Sequence, residues 1–217
     1  MKKQPTHYGV PTDSEHHFYH YMQKYPELYT HLATIAQQHL TTPKAYIIDL
    51  GMGPGLLTTT LQTHLPQATI LGIEPNQHML HLAKQHTHHR TPIIQAQAHD
   101  LPLHSSTIDM VISRFSLPYW KDPKTCFQEI YHILKPNGIL LLDVLNKNIS
   151  KTTLFFIKLH MKYRGAPGIV IRYHFDAYHT AFSEPDLRAL LTDIGFKTNQ
   201  VSVTKKDWHF ITIAQKP

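Results

Sequence analysis

The stretch Asp49-Leu50-Gly51-Met52-Gly53-Pro54-Gly55 joins a short apolar run at 45–50 to a helical pattern at 56–65, which Pro66 stops. A strand that ends in alternating glycines lets backbone approach a ligand closely, because no side chain intervenes. The first turn of the following helix adds free amides and a positive dipole end, where a ligand carboxylate is stabilised. Strand, glycine loop and helix in this order make an α/β nucleotide-binding unit the first expectation.

Downstream the same beat repeats. Strands are expected at 68–73, 93–96, 109–115 and 139–144. A helix at 76–86 carries Met79, Leu80 and Ala83 on its apolar face. Asp122 caps the next, with Pro123 at its first position and a core stripe of Cys126, Phe127, Ile130, Ile133 and Leu134. Pro136-Asn137-Gly138 turns that helix into the last of these strands. Strands separated by helices imply a parallel sheet covered on both faces. The beat is lost over 145–182. It resumes at Ser183-Glu184-Pro185-Asp186, a capping box for a helix that Gly195 terminates. Two alternating segments, 198–203 and 208–213, flank Lys205-Lys206-Asp207 and read as an antiparallel hairpin at the sheet edge. The fold class is thus α/β, a Rossmann-like, mostly parallel sheet of seven strands. Upstream, Ser14 caps a helical segment reaching about Lys24. After Pro26, residues Leu28, Leu32, Ile35, Ala36 and Leu40 make an amphipathic helix.

Glu74, at the end of the second strand, stands where an acidic residue accepts hydrogen bonds from ribose hydroxyls. The glycines follow G-x-G-x-G, and Leu56 occupies the place of the last glycine of a dinucleotide fingerprint, which disfavours a nicotinamide enzyme. Residues 49–55 resemble the first motif of class I S-adenosylmethionine-dependent methyltransferases, D-x-G-x-G-x-G. Three further stretches agree: Ala98-His99-Asp100-Leu101-Pro102-Leu103 with the strand at 108–113, Leu134-Lys135-Pro136-Asn137-Gly138, and the helix from Ser183 to Gly195. The resemblance spans about 45–214 and is strongest to the small-molecule branch called methyltransferase type 11.

It implies S-adenosyl-L-methionine as cofactor. Asp49, Gly51, Gly53 and Gly55 would meet its methionine end, and Glu74 its ribose. Asp100 would accept from the adenine amino group with Leu101 packed nearby, and Ser113 and Arg114 would lie near the methyl donor. A chain of 217 residues, 41% hydrophobic, buries one substantial core, so one domain is expected, with a helical cap at 1–42, a cofactor core at 45–145, a substrate-cap insertion at 147–182, and a last helix and hairpin at 183–217. Met52 departs from the cysteine or alanine common at its position.

For the acceptor, Tyr19, Phe115, Tyr119 and Trp120 are the candidates. The sequence selects no catalytic base, although Tyr19, His20, Tyr21 and His174 are titratable residues suited to the task. Residues 147–172 hold six basic side chains and no acidic one. Within that stretch, 151–164 interleaves Phe155, Phe156 and Leu159 with Lys158, Lys162 and Arg164. Three readings of such a segment stand: it closes over an apolar or anionic acceptor, it touches a membrane surface, or it packs on the sheet with its lysines in solvent.

A net charge of +6 leaves an RNA methyltransferase open as an alternative. No separate RNA-binding module is visible, and Phe115-Ser116-Leu117-Pro118-Tyr119-Trp120 is not the N-P-P-Y type motif of base methylases. A binding protein without catalysis is the third reading. The single cysteine excludes a disulfide framework, and no apolar stretch is long enough to cross a bilayer, so a cytoplasmic protein is expected. Nineteen histidines include His16 and His20, and the cluster His86, His88 and His89. None has the spacing of a metal site, and no metal is expected.

Overall fold

The computed structural model describes residues 15–87, 91–203 and 208–217. Ser14, His88, His89 and the residues 205–207 lie outside them.

Seven strands form one sheet in the order β3-β2-β1-β4-β5-β7-β6. β1 (Tyr46–Leu50), β2 (Thr69–Ile73), β3 (Ile93–Ile94), β4 (Ile108–Arg114) and β5 (Leu134–Leu145) are parallel. β7 (His209–Gln215) runs antiparallel between β5 and β6 (Lys197–Val203), which places the hairpin at the edge as expected. Alternate strand residues serve opposite faces. Ile48, Leu50, Val111, Leu140 and Leu142 pack against α5 (Pro123–Ile133) and α8 (Glu184–Ile194). Ile47, Met110, Ile112 and Leu141 meet α2 (Pro26–His39) and α3 (Leu56–His64). The same alternation sends Asp49, Arg114, Asp143 and His209 to the α2 side of the sheet. Fully burying each large apolar side chain contributes about 1.5–3 kcal/mol, so these two layers fix the frame that positions the site.

The helix ends follow their local chemistry. Asp122 accepts from the Lys124 and Thr125 amides, and Ser183 from the Asp186 amide. Gly195 closes α8 at φ 113°, a left-handed conformation open to glycine. Asn76 caps α4 (Gln77–His86) through the His78 and Met79 amides.

Three details differ from the sequence expectations. The third strand ends at Ile94, because 96–98 peel away from the sheet to line a cavity. β5 begins at Leu134, not 139: Leu134 pairs with Ile108 and Ile139 with Met110, and Lys135 to Gly138, with Asn137 at φ 64°, form the irregularity where the register shifts. The region without a beat holds two helices, α6 (Lys151–Tyr163) and α7 (Gly168–Ala177). They cap the cavity rather than pack on the sheet, and α6 buries only Met161. A helix with one buried residue leaves no core stripe in the sequence.

α1 (Glu15–Met22) completes this cap. Phe18, Tyr21 and Met22, with Tyr25 beyond its end, pack with Ile157, Met161, Val170 and Ile171. The Tyr21 and Tyr25 hydroxyls are 2.8 Å apart. Lys24 Nζ donates to the Arg164 carbonyl at 3.0 Å. Among the described residues, no helix is long and apolar enough to cross a membrane.

Candidate active site

A cavity of about 770 Å³ opens at the C-terminal ends of β1, β2 and β4, beneath the cap. Ligands of α/β sheets bind at this end, and the volume lies within the roughly 300–1,000 Å³ of small-molecule sites.

The loop after β1 forms its floor. The Gly51 and Met52 amides both donate to the Ile73 carbonyl, at 2.8 and 3.1 Å, which ties the loop to β2. Gly51, Gly53 and Gly55 all have positive φ, but they serve different ends. A Cβ on Gly51 would lie 2.5 Å from Ser116 Cβ, so this glycine is required by packing. A Cβ on Gly53 would meet nothing within 4 Å. Gly53 instead presents bare backbone to the cavity, as close approach by a ligand needs. Met52 fills the space above Gly72 with its thioether, which explains a larger residue at this place in the loop. Gly55 is the N-cap of α3 and supplies no side-chain cap.

Two carboxylates hold this loop. Glu74 accepts from the Gly53 amide through Oε2 and from the Asn76 amide through Oε1, both at 3.0 Å. Asp49 accepts the Thr58 hydroxyl at 2.6 Å and the Thr58 amide, capping the first turn of α3. Burial pushes Asp49 up to about 7, aided by the nearby Glu74, against the Thr58 bonds that lower it. Burial likewise raises Glu74, opposed by its two amide bonds. A ligand with cationic groups at Asp49 and hydroxyls at Glu74 would relieve both. The open backbone at Gly53 and these two acids therefore fit the methionine end and ribose of S-adenosylmethionine.

Ser113 is buried and does not line the cavity. Its hydroxyl donates to the Leu50 carbonyl at 2.7 Å and pairs with Ser116 Oγ, so it locks the loop from below. Asp100 is exposed and Leu101 belongs to the core; Ala96 to His99 form that part of the wall. Asp100 is held at the surface because the chain turns back there, with its amide donating to the Gln97 carbonyl.

On the acceptor side, Phe115, Tyr119 and Trp120 line the cavity. Tyr19 does not. The helical phase of α1 aims Phe18, Tyr21 and Met22 inward, while Tyr19 stacks on His86 with centroids 3.5 Å apart. His20 is exposed, and His174 lines the cavity beside Tyr173. Burial pushes the Tyr21, Tyr119 and Tyr173 phenols up and His174 down to about 4. Burial also pushes the thiol of Cys126, another lining residue, up to about 12, so it is not a thiolate at neutral pH.

Sequence reasoning missed Tyr29, Asp143 and His209. Arg114 Nε donates to Asp143 Oδ2 at 3.1 Å, and His209 Nδ1 lies against Asp143 Oδ1. The Arg114 guanidinium sits 4.7 Å from the Tyr29 ring and 4.2 Å from the Phe115 ring. The one signal available was Asp143 itself, an acid inside the apolar run 139–145. Among the described residues, no three His, Cys, Asp or Glu side chains group as metal ligands.

Residues 48–142 match the family model for a methyltransferase domain. A rice (Oryza sativa subsp. japonica) 2-methyl-6-phytyl-1,4-hydroquinone methyltransferase is 31% identical over 97 residues, 44% of this chain and 29% of that protein. The match spans 29% to 63% of the length of such curated relatives. Among solved structures, a putative S-adenosyl-L-methionine-dependent methyltransferase from Methanococcus maripaludis superposes with TM-score 0.73 at 21% identity, covering 100% of this chain and 97% of that one. The plantazolicin methyltransferase BpumL, in complex with a monoazolic desmethylPZN analog and SAH, gives TM-score 0.73 at 14% identity, covering 94% and 90%. Sheet order and glycine loop agree with the family match, and residues 48–142 have the sequence pattern and fold of a methyltransferase domain.

Proposed function

We propose that this protein transfers a methyl group from S-adenosylmethionine to a small, largely apolar acceptor held beneath α1, α6 and α7. The observation that carries the reading is a single cavity that runs from Gly53 and Glu74 to the aromatic wall of Phe115, Tyr119 and Tyr173. Asp49, the backbone at Gly51 and Gly53, and Glu74 would hold the cofactor, which when bound supplies an electrophilic methyl group on a sulfonium. Ala96 to His99 would flank its adenine. The rice relative is named for methylation of a phytyl hydroquinone, an acceptor with an apolar body that suits such a wall.

The chain's own part is alignment and exclusion of water. Phenols pushed upward by burial remain donors at neutral pH, and His174 stays uncharged, so these four groups orient an acceptor without placing a charge against its apolar body. Calorimetry with S-adenosylhomocysteine tests the donor half, and labelled S-adenosylmethionine with fractionated cell extract tests the acceptor. Label is expected in the lipid or small-molecule fraction. Absence of binding at millimolar cofactor, or label confined to RNA, would refute the reading.

The cap also proposes a route of entry. Phe155, Phe156, Leu159 and Tyr163 are more than half exposed on α6, between exposed Lys151, Lys158 and Lys162. Phe156 and Ile157 of the same helix line the cavity. Aromatic side chains among lysines suit an anionic bilayer surface, from which an apolar acceptor would pass under the cap. The protein is expected to co-sediment with phosphatidylglycerol vesicles and not with phosphatidylcholine ones. Replacing Phe155 and Leu159 by serine should abolish this, and equal recovery with both vesicle types would reject it.

A further inference from the structure

Arg114 is unfinished. Its side chain is only 7% exposed, and burying a guanidinium costs several kcal/mol unless its donors are met. Asp143 satisfies Nε with one oxygen. The other oxygen of Asp143 is engaged by His209, so Asp143 cannot turn to grip the guanidinium with both oxygens without releasing that imidazole. Nη2 is buried and has no hydrogen-bond partner among the described residues.

The surroundings hold the guanidinium in place. Tyr29 and Phe115 lie against it, each ring attracting the cation. Phe115 takes φ 54°, a left-handed backbone that costs a non-glycine residue roughly 1–2 kcal/mol. Trp208 and His209 pack edge-on to its ring, with centroids 5.5 and 5.7 Å away. Backbone strain kept by packing at a cavity wall marks a functional constraint. Arg114, Phe115, Tyr29, His174 and Trp208 all line the cavity. The acids on the cavity wall are Glu27, Asp49 and Glu74, and Arg114 is paired with none of them.

We propose that Arg114 binds a carboxylate-like oxyanion of the acceptor, the substrate being an apolar molecule that carries such a group and reaches Nη2 through the aromatic wall. Arginine suits the task, because a planar fork still has a donor edge to offer after Nε is taken. The proposal rests on reading this cavity as the methyl acceptor's, and it assigns Arg114 to the acceptor rather than to the cofactor.

The test uses the full chain loaded with S-adenosylhomocysteine and two probes of equal shape, octanoate and octanamide. Wild type should bind octanoate roughly tenfold or more tightly, the worth of a buried charged hydrogen bond. Removing Arg114 alone would strand Asp143, so the double variant Arg114→Gln/Asp143→Asn is the informative one. It should bind both probes alike and keep its affinity for S-adenosylhomocysteine within about threefold. Loss of that affinity in parallel would return Arg114 to the cofactor and overturn the proposal. No preference for octanoate in wild type, including no binding of either probe, would overturn it too, even if the double variant does not fold. Wild type that fails to bind S-adenosylhomocysteine would instead refute the methyltransferase reading.

Discussion

Replacing Glu74 by alanine is expected to weaken S-adenosylhomocysteine binding roughly 100-fold, about 2.7 kcal/mol. Two losses combine. An ionised carboxylate has about four acceptor positions. The Gly53 and Asn76 amides use two, and the remainder are free for ribose hydroxyls. Alanine removes the ribose acceptor and also frees the Gly53 amide, so the loop loses the bond that sets its curvature over the cavity. Glu74→Gln separates this from a charge effect. Its side-chain amide must turn one N–H₂ toward either the Gly53 or the Asn76 amide, two donors facing each other, so one anchor is lost although the shape is kept. Glutamine is therefore expected to fall between wild type and alanine in calorimetric affinity. Wild-type affinity in both variants would remove Glu74 from the site, and unchanged affinity in the glutamine variant alone would reject its role as loop anchor.

That role was not legible in the sequence, whereas Glu74's position was. A glycine loop after an apolar run and an acid at the end of the next strand follow from chain order alone, since both belong to one strand–helix–strand unit. Asp122 and Ser183 were legible as caps for the same reason: their bonds reach only two or three residues ahead. Contacts between distant segments are different. Arg114, Asp143, His209 and Tyr29 converge from β4, β5, β7 and α2, and only the register Arg114 opposite Asp143 and Leu145 opposite His209 brings them together. The inward phase of α1 was equally hidden. Tyr19 and Tyr21 look alike in a short aromatic helix, and only the placement of α6 and α7 decides that Tyr21 faces the cavity. The exposure of Asp100 was hidden for a local reason, because 96–98 leave the sheet early and line the cavity while Asp100 stays outside it.

Asp49→Asn is expected to stabilise the folded protein at pH 8 while weakening its hold on S-adenosylmethionine. Asp49 is fully enclosed, and its burial raises it from 3.8 to about 7. Between these values the folded state holds a proton that the unfolded chain has released, so stability falls as pH rises across that window and levels off above it. The cost of keeping Asp49 ionised at pH 8 is at most on the order of 4 kcal/mol. Asparagine carries no such cost and can still accept the Thr58 hydroxyl, but its own N–H₂ needs a partner, so a gain of about 2 kcal/mol is expected. The gain should shrink steadily as pH falls toward 3.8, and only below that value is Asp49 protonated in both states. Glu74, also raised by burial, leaves a residual slope in the variant. Binding should run the other way. The cationic methionine end of the cofactor favours the ionised acid, so wild-type affinity rises with pH up to about 7 and binding releases a proton below it. The asparagine variant should bind roughly tenfold or more weakly and lose most of that proton release. Denaturant melts at pH 5 and pH 8, with calorimetry in buffers of different ionisation heat, measure both halves. A variant no more stable than wild type at pH 8 would show that Asp49 is not held at a cost, and an unchanged proton release would place the cofactor's charge elsewhere. If both hold, Asp49 is a residue whose ionised form is tolerated in the fold for the sake of the ligand.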